Sequence, residues 1–257
     1  MKPSDVSISF VDIIKKSINL LKQNPILLTP QLFSFFIQNI FTNFYIKNKL
    51  DMNITFIELF EQFGHIFVAM ILIQVLFFIV LIAIVKQKVT IPLMSSEPRE
   101  ILSNIFFSVN KILVGILLAF GSIMLLLIIL SMITSFLPFF APILGIFTFL
   151  LVIFGVLTIH FFIIDHVLFQ CGVLSTFRQV FTRFKLYLLL FFRWGMLYFS
   201  YIVLSSYLMI LAQEIAGSGL VVFVGAVEAC LGTLMIIVSV IFYNLLFLSS
   251  HINTSEA

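Results

Sequence analysis

Residues 112–134 read ILVGILLAFGSIMLLLIILSMIT, and residues 143–164 read ILGIFTFLLVIFGVLTIHFFII; neither stretch holds a charged side chain. A helix rises about 1.5 Å per residue, so about 20 apolar residues cross the roughly 30 Å hydrocarbon layer of a bilayer. A helix also satisfies its own backbone N–H and C=O groups where no water can reach them. Both stretches therefore predict membrane-crossing helices. Working outward, further spans are expected at 26–46, 66–85, 186–212 and 219–248, the last two long enough to tilt or emerge from the bilayer.

Composition points the same way. The chain is 257 residues long, 62% hydrophobic and 10% charged, with 33 Phe. A water-soluble domain of this size needs far more polar covering. No Pro-rich or Gly/Ser linker divides the chain, so one all-α bundle of six transmembrane helices over residues 1–257 is expected, with no room for a soluble catalytic domain. The first 24 residues carry Asp5, Asp12, Lys15, Lys16 and Lys22 and lack the continuous apolar core of a signal peptide, so they are expected to stay on the chain.

Charge sets the expected orientation. Of the 14 Lys and Arg, 11 fall at the start of the chain or in the even-numbered connections, Arg193 falls near the inner end of the fifth span, and only Lys47 and Lys49 fall in an odd-numbered connection. Cationic connections stay in the cytosol, which places both termini there in the cell membrane. The net charge of +3 then reports topology and attraction to anionic lipid, and no basic-aromatic module suggests nucleic acid.

Each inward segment ahead of an odd-numbered span has the spacing of an amphipathic helix, at about 9–24, 97–110 and 175–185. In the first, Phe10, Ile13, Ile14, Ser17, Ile18 and Leu21 oppose Asp12, Lys15, Lys16, Asn19 and Lys22, and Ser9 with Asp12 has capping spacing. In the second, Pro98 and Glu100 start a helix with Ile101, Leu102, Ile105, Phe106 and Val109 on its apolar side. In the third, Phe177, Val180, Phe181 and Phe184 oppose Arg178, Thr182 and Lys185. The order of one amphipathic helix and two spans thus occurs three times, the pattern of a helix-plus-hairpin repeat. Such helices anchor a protein in the headgroup layer, or present a surface to anionic inner-leaflet lipid or to a cytosolic or membrane protein partner. Lys15, Lys16, Lys22, Arg178, Arg183 and Lys185 are the expected inner-leaflet contacts.

The segments DIIKKSINLLKQNPILLTPQLFSFF, SSEPREILSNIFFSVNKILVGILLAF and VLFQCGVLSTFRQVFTRFKLYLLLFF resemble the span-leading motifs of YciC-like membrane proteins and the related membrane domain of glycerophosphoryl diester phosphodiesterases. The resemblance covers most of the chain and implies a helical membrane module. It brings no catalytic residue, because the phosphodiesterases carry their catalytic barrel separately and this chain has nothing in its place.

Polar groups inside spans are expensive, about 2.5–3.5 kcal/mol for a charged side chain at the bilayer centre, and so mark places of interest. Glu228 lies in the sixth span, with Gly225, Ala229 and Gly232 at helical spacing around it. Small neighbours let another helix approach, so its carboxyl is expected to meet a helix, as a structural hydrogen-bonding group or as a proton- or ion-coupling one. Gln31, Ser34, Gln38 and Thr42 give the first span a polar face, suited to interhelical hydrogen bonds or to a water-lined path. Pro30 is expected to bend that helix.

His160, Asp165, His166 and Cys171 gather near the inner end of the fourth span, without the spacing of a closed zinc site, and are expected to be ordinary interfacial residues. No phosphate loop, paired His and Glu helix or intramembrane carboxylate pair is present, and no cofactor is implied. The sequence thus suggests a non-enzymatic protein that organises the membrane or an assembly at the cytoplasmic leaflet. The rival expectation is a small transporter, or a transporter's membrane subunit, using Glu228 and the polar face of the first span.

Overall fold

Ser9 opens the first helix, because its side chain accepts the Asp12 N–H at 3.3 Å and satisfies a donor the helix itself leaves bare. Asp12 adds a negative charge beside that positive end. The computed structural model describes residues 9–41, 56–90, 98–215 and 218–255. It is 96% helical, with no strand among the described residues. The helices are α1 (Phe10–Gln23), α2 (Thr29–Phe41), α3 (Phe56–Thr90), α4 (Pro98–Phe136), α5 (Ala141–Phe169), α6 (Val173–Leu186), α7 (Leu188–Ile215) and α8 (Ser218–Ser255).

Five of them are long and apolar enough to cross a membrane, over Gly64–Lys86, Ser108–Phe136, Ala141–Phe169, Leu188–Leu208 and Val221–Leu246. Only 11% of the apolar window of α4 is buried, and Leu117, Leu125, Ile128 and Met132 stand exposed on it. Side chains of this kind need lipid around them. This is the build of a multi-pass membrane protein. The sixth expected span, 26–46, runs beyond the described residues: α2 is described to Phe41, and Thr42 lies outside.

The three amphipathic lead-ins do not behave alike. Asn24 ends α1, its N–H reaching the Leu20 and Leu21 carbonyls, and Pro25 opens a short 3-10 turn, Pro25–Leu28, before α2. Pro30 therefore sits in the first turn of α2, where its missing N–H takes nothing from the helix, and the bend expected in the first turns of the span takes the form of the 3-10 turn ahead of α2. Tyr187 alone separates α6 from α7. By contrast, residues 98–136 form one unbroken helix, so the expected separate helix at 97–110 is the first part of α4. Neither Pro nor Gly interrupts the join between them, and nothing there stops the hydrogen-bond ladder.

The chain divides into two compact units. In one, formed by the described parts of Ser95–Phe199 and of the chain from Tyr243 on, Leu137 and the 3-10 turn Pro138–Phe140 join α4 and α5 into a hairpin, and α6 folds back against both. Its core is aromatic: the Phe161 ring lies 4.9 Å from Phe191, 4.9 Å from Trp194 and 5.3 Å from Tyr243, centroid to centroid. Gly115 of α4 and Gly155 of α5 let the helices close, with the Phe162 ring and Ile123 occupying the space their side chains would need. The other unit comprises the described parts of Ile8–Met94 and Ser200–Phe242. There α2 packs along α3 through Phe33 and Phe77, and Phe10 of α1 stacks on Phe242 at 5.5 Å.

The Phe162 ring is itself stacked on Phe177 at 4.4 Å and cannot swing aside, so Gly115→Ala is expected to cost about 1–3 kcal/mol through overpacking. Gly121→Ala, where the added carbon meets open space, gains up to about 1 kcal/mol of helix propensity. Melting temperatures of the two variants in the same mild detergent check this pair: the first falls, the second does not.

Candidate functional site

The end of α5 is buried without interruption from His160 to Leu168. Gln170 then takes a left-handed conformation, φ 53°, and its N–H closes on the His166 carbonyl at 2.8 Å. Gly172 starts α6, and the Ser175 hydroxyl donates to its carbonyl at 2.7 Å. This tight reversal lays α6 back along α5, with Thr176, Val180, Arg183 and Phe184 on its buried side. Thr176 Oγ1 stands 3.5 Å from His166 Nδ1, and Gln179 Nε2 donates to the Cys171 sulfur at 3.5 Å.

At the centre of this joint, Asp165, Arg183 and Tyr243 meet, from α5, α6 and α8. The Arg183 guanidinium donates to Asp165 Oδ1 and to the Tyr243 hydroxyl, and the Tyr243 hydroxyl donates to the same Asp165 oxygen at 2.9 Å. All three side chains are buried: 5% of Arg183 and none of Asp165 or Tyr243 is exposed. The guanidinium also lies over two rings, 4.7 Å from the Tyr243 centroid and 5.3 Å from that of Phe169. The charge is thus met by an anion, a hydroxyl and two aromatic faces, which is how a cation is held away from water.

This corrects two expectations. Arg183, expected at the lipid headgroups, faces inward and is spent on Asp165. His160, Asp165 and His166, expected as interfacial residues, are buried, while Cys171 is half-buried. The sequence held a signal for the pair. Asp165 is the sole acid between Glu100 and Glu214, and Arg183 falls three residues after Val180 and seven after Thr176, on the buried side of α6. Tyr243 left no such trace, because its partners are 60 and 78 residues away.

The other expected cations are where the spacing puts them: Lys15, Lys16 and Lys22 are exposed on α1, opposite the buried Ile13 and Ser17, and Arg178 and Lys185 are exposed on α6. On α2, Ser34 is 2% exposed and accepts a hydrogen bond from Gln38 Nε2 at 3.4 Å, with Gln31 half-buried. Glu228 is half-exposed on α8, and its backbone carbonyl accepts the Tyr201 hydroxyl of α7 at 3.4 Å. Gly225, one turn before it, lies against the Phe35 ring of α2. Gly225 and Gly232 therefore face α2 and α7, where the Phe35 ring and the Tyr201 hydroxyl stand against them.

No protein-family model, curated protein or solved structure matches this chain. The likeness of the span-leading segments to YciC-like proteins rests on those residues alone.

Removing the Asp165 charge leaves a buried guanidinium without its anion, so Asp165→Asn is expected to destabilise the fold by about 3–5 kcal/mol. Replacing both partners with apolar groups, as Asp165→Leu with Arg183→Met, removes charge and counter-charge together and restores most of that loss. Thermal unfolding in detergent of the single and double variants reads the difference; equal destabilisation of both would contradict it.

Proposed function

We propose that this protein is a six-span, non-enzymatic component of the cell membrane that organises lipid or an assembly at the cytoplasmic leaflet, with both termini in the cytosol. One observation carries the reading: α1 and α6 each bury one side in the protein and turn cations outward, Lys15, Lys16 and Lys22 on the first, Arg178 and Lys185 on the second. A helix of that kind lies in the plane of the headgroups. The placing of most Lys and Arg in the start and even-numbered connections supports an inward position for both. The stretch 26–46 supplies the sixth crossing, and an even number of crossings brings the two ends to one side. The likeness to YciC-like proteins supports a helical membrane module.

Two measurements test this. In a variant whose Cys171 and Cys230 are replaced by Ser, cysteines introduced at Ser4 and Ser255 are expected to resist an impermeant maleimide in intact cells and to react after permeabilisation. Labelling of one end alone in intact cells would refute the six-span path. Neutralising Lys15, Lys16, Lys22, Arg178 and Lys185 to Gln is expected to abolish the preference for anionic over zwitterionic nanodiscs, since each surface cation contributes about 1 kcal/mol.

A second reading, a proton- or ion-coupled transporter, draws on the contact of Gly225 with Phe35 and the Ser34–Gln38 pair, which bring the stripe around Glu228 and the polar residues of α2 into one unit. For that reading, Glu228→Gln is expected to abolish potential-driven proton flux in proteoliposomes while leaving the melting temperature unchanged. Unaltered flux removes Glu228 from any coupling role.

A further inference from the structure

Helix α6 carries Arg178, Arg183 and Lys185 and no acid. Asp165 and Tyr243 hold Arg183 inward. At about 100° per residue, Arg178 and Lys185 then fall about 140–160° around the helix from Arg183, almost opposite the buried pair. They do not stand alone there. Leu174, Arg178, Phe181 and Lys185 follow one another at four-, three- and four-residue intervals and form a single stripe. Leu174 is 79% exposed at one end of it, and Phe181 is 46% exposed between the exposed Arg178 and Lys185. Phe181, expected on the buried side, is instead part of the outward surface.

An alternation of apolar and cationic groups along one stripe suits neither water nor hydrocarbon. It suits the boundary between them, where acyl chains end and phosphates begin. The surroundings on α5 favour lipid over a soluble acidic partner. The Phe181 ring stacks on Phe154 at 6.1 Å, and Phe154 is itself exposed on the apolar surface of a membrane-crossing helix. The apolar half of the stripe is therefore continuous with the surface that faces acyl chains.

We infer that Leu174, Arg178, Phe181 and Lys185 form a binding site for an anionic phospholipid. Arg178 and Lys185 take the headgroup, and Phe181 with Phe154 takes the first carbons of an acyl chain. Asp165 is a positioning residue for this site: by fixing Arg183 inward it sets the rotation of α6 that turns Arg178 and Lys185 to the lipid. The inference rests on the reading of α6 as a cytoplasmic-leaflet helix and names the ligand of that helix.

Native mass spectrometry of the full chain in mild detergent, titrated with phosphatidylglycerol and in parallel with phosphatidylcholine, tests it. The protein is expected to bind phosphatidylglycerol in preference. Arg178→Gln with Lys185→Gln is expected to weaken the first bound phosphatidylglycerol by about thirtyfold, the effect of two surface cations. Lys15→Gln with Lys16→Gln on α1 leaves that first lipid in place. Asp165→Leu with Arg183→Met, which keeps the inner side of α6 neutral but removes the bonds that fix its rotation, is expected to fold and to weaken that first lipid, as Asp165→Asn does. If Asp165→Asn fails to fold, the double variant still decides the positioning role, and undiminished lipid binding there would overturn it. Undiminished phosphatidylglycerol binding by the Arg178 and Lys185 variant would overturn the site, as would equal binding of phosphatidylcholine by the unaltered chain. Loss of self-association in place of lipid would assign the stripe to a second copy and overturn it too. A Thr182→Cys reporter separates the site from the leaflet reading. Its labelling from outside intact cells would sink the cytoplasmic placement, while labelling only from inside, with lipid binding unchanged by the variant, would sink the site alone.

Discussion

A peptide N–H or C=O in hydrocarbon has no water to bond, and leaving it bare costs several kcal/mol. That constraint explains why almost every described residue is helical, and why the described departures from helix are short. In the turn at Pro25–Leu28 the Leu27 N–H bonds the Asn24 carbonyl, in the turn at Pro138–Phe140 the Phe140 N–H bonds that of Leu137, and in the reversal at Gln170–Gly172 the Gln170 N–H bonds that of His166 while the Gly172 carbonyl accepts the Ser175 hydroxyl. Between these breaks the helices run long. The position of each break is therefore the main freedom the chain has, and it decides which segments cross and which lie alongside.

The break after α5 has the largest consequence. It turns a cationic helix back onto an apolar span, and one cation of α6 enters the protein. A buried ion pair is a poor source of net stability, because desolvation offsets most of the attraction. What the pair with Asp165 supplies is definition. Val180 and Phe184 could pack with the helix rotated by several tens of degrees, whereas a guanidinium bonded to one carboxylate oxygen and one hydroxyl admits a single rotation. The outward stripe of α6 is the other side of that choice. The unit that holds Glu228 uses a different device, close approach at Gly225 and Gly232, where the Phe35 ring and the Tyr201 hydroxyl fill the space a side chain would take.

Much of this was legible in the residues. Uncharged runs such as 112–134 gave spans, Ser9 and Asp12 gave a helix start, and the alternation of Ile13 and Ser17 with Lys15, Lys16 and Lys22 gave the two sides of α1. Small residues at 225 and 232 marked a packing face. Three features depart from what the residue pattern alone predicts. The lead-in at 97–110 contains the same kind of amphipathic pattern as the others, yet its described part runs on into α4, whereas Asn24 and Pro25 end α1 and Tyr187 ends α6. Pro30 by itself predicts a bend in the first turns of the span, and the break falls just before it, in the turn that Pro25 opens. Arg183 was grouped with its neighbours by charge, although its phase on α6 matched Thr176 and Val180.

By itself the sequence determined the apolar surroundings of this protein's long helices and the helical form of its backbone, since these follow from hydropathy and from composition summed over many residues. Only the tertiary structure decided which charges are spent internally and which are offered outward. Tyr243 reaches Asp165 across 78 residues, and a pairing of that range depends on how three helices pack, which no local period records. Phe181 likewise fits either side of α6 by hydropathy, and the rotation set by Arg183 placed it beside Arg178 and Lys185.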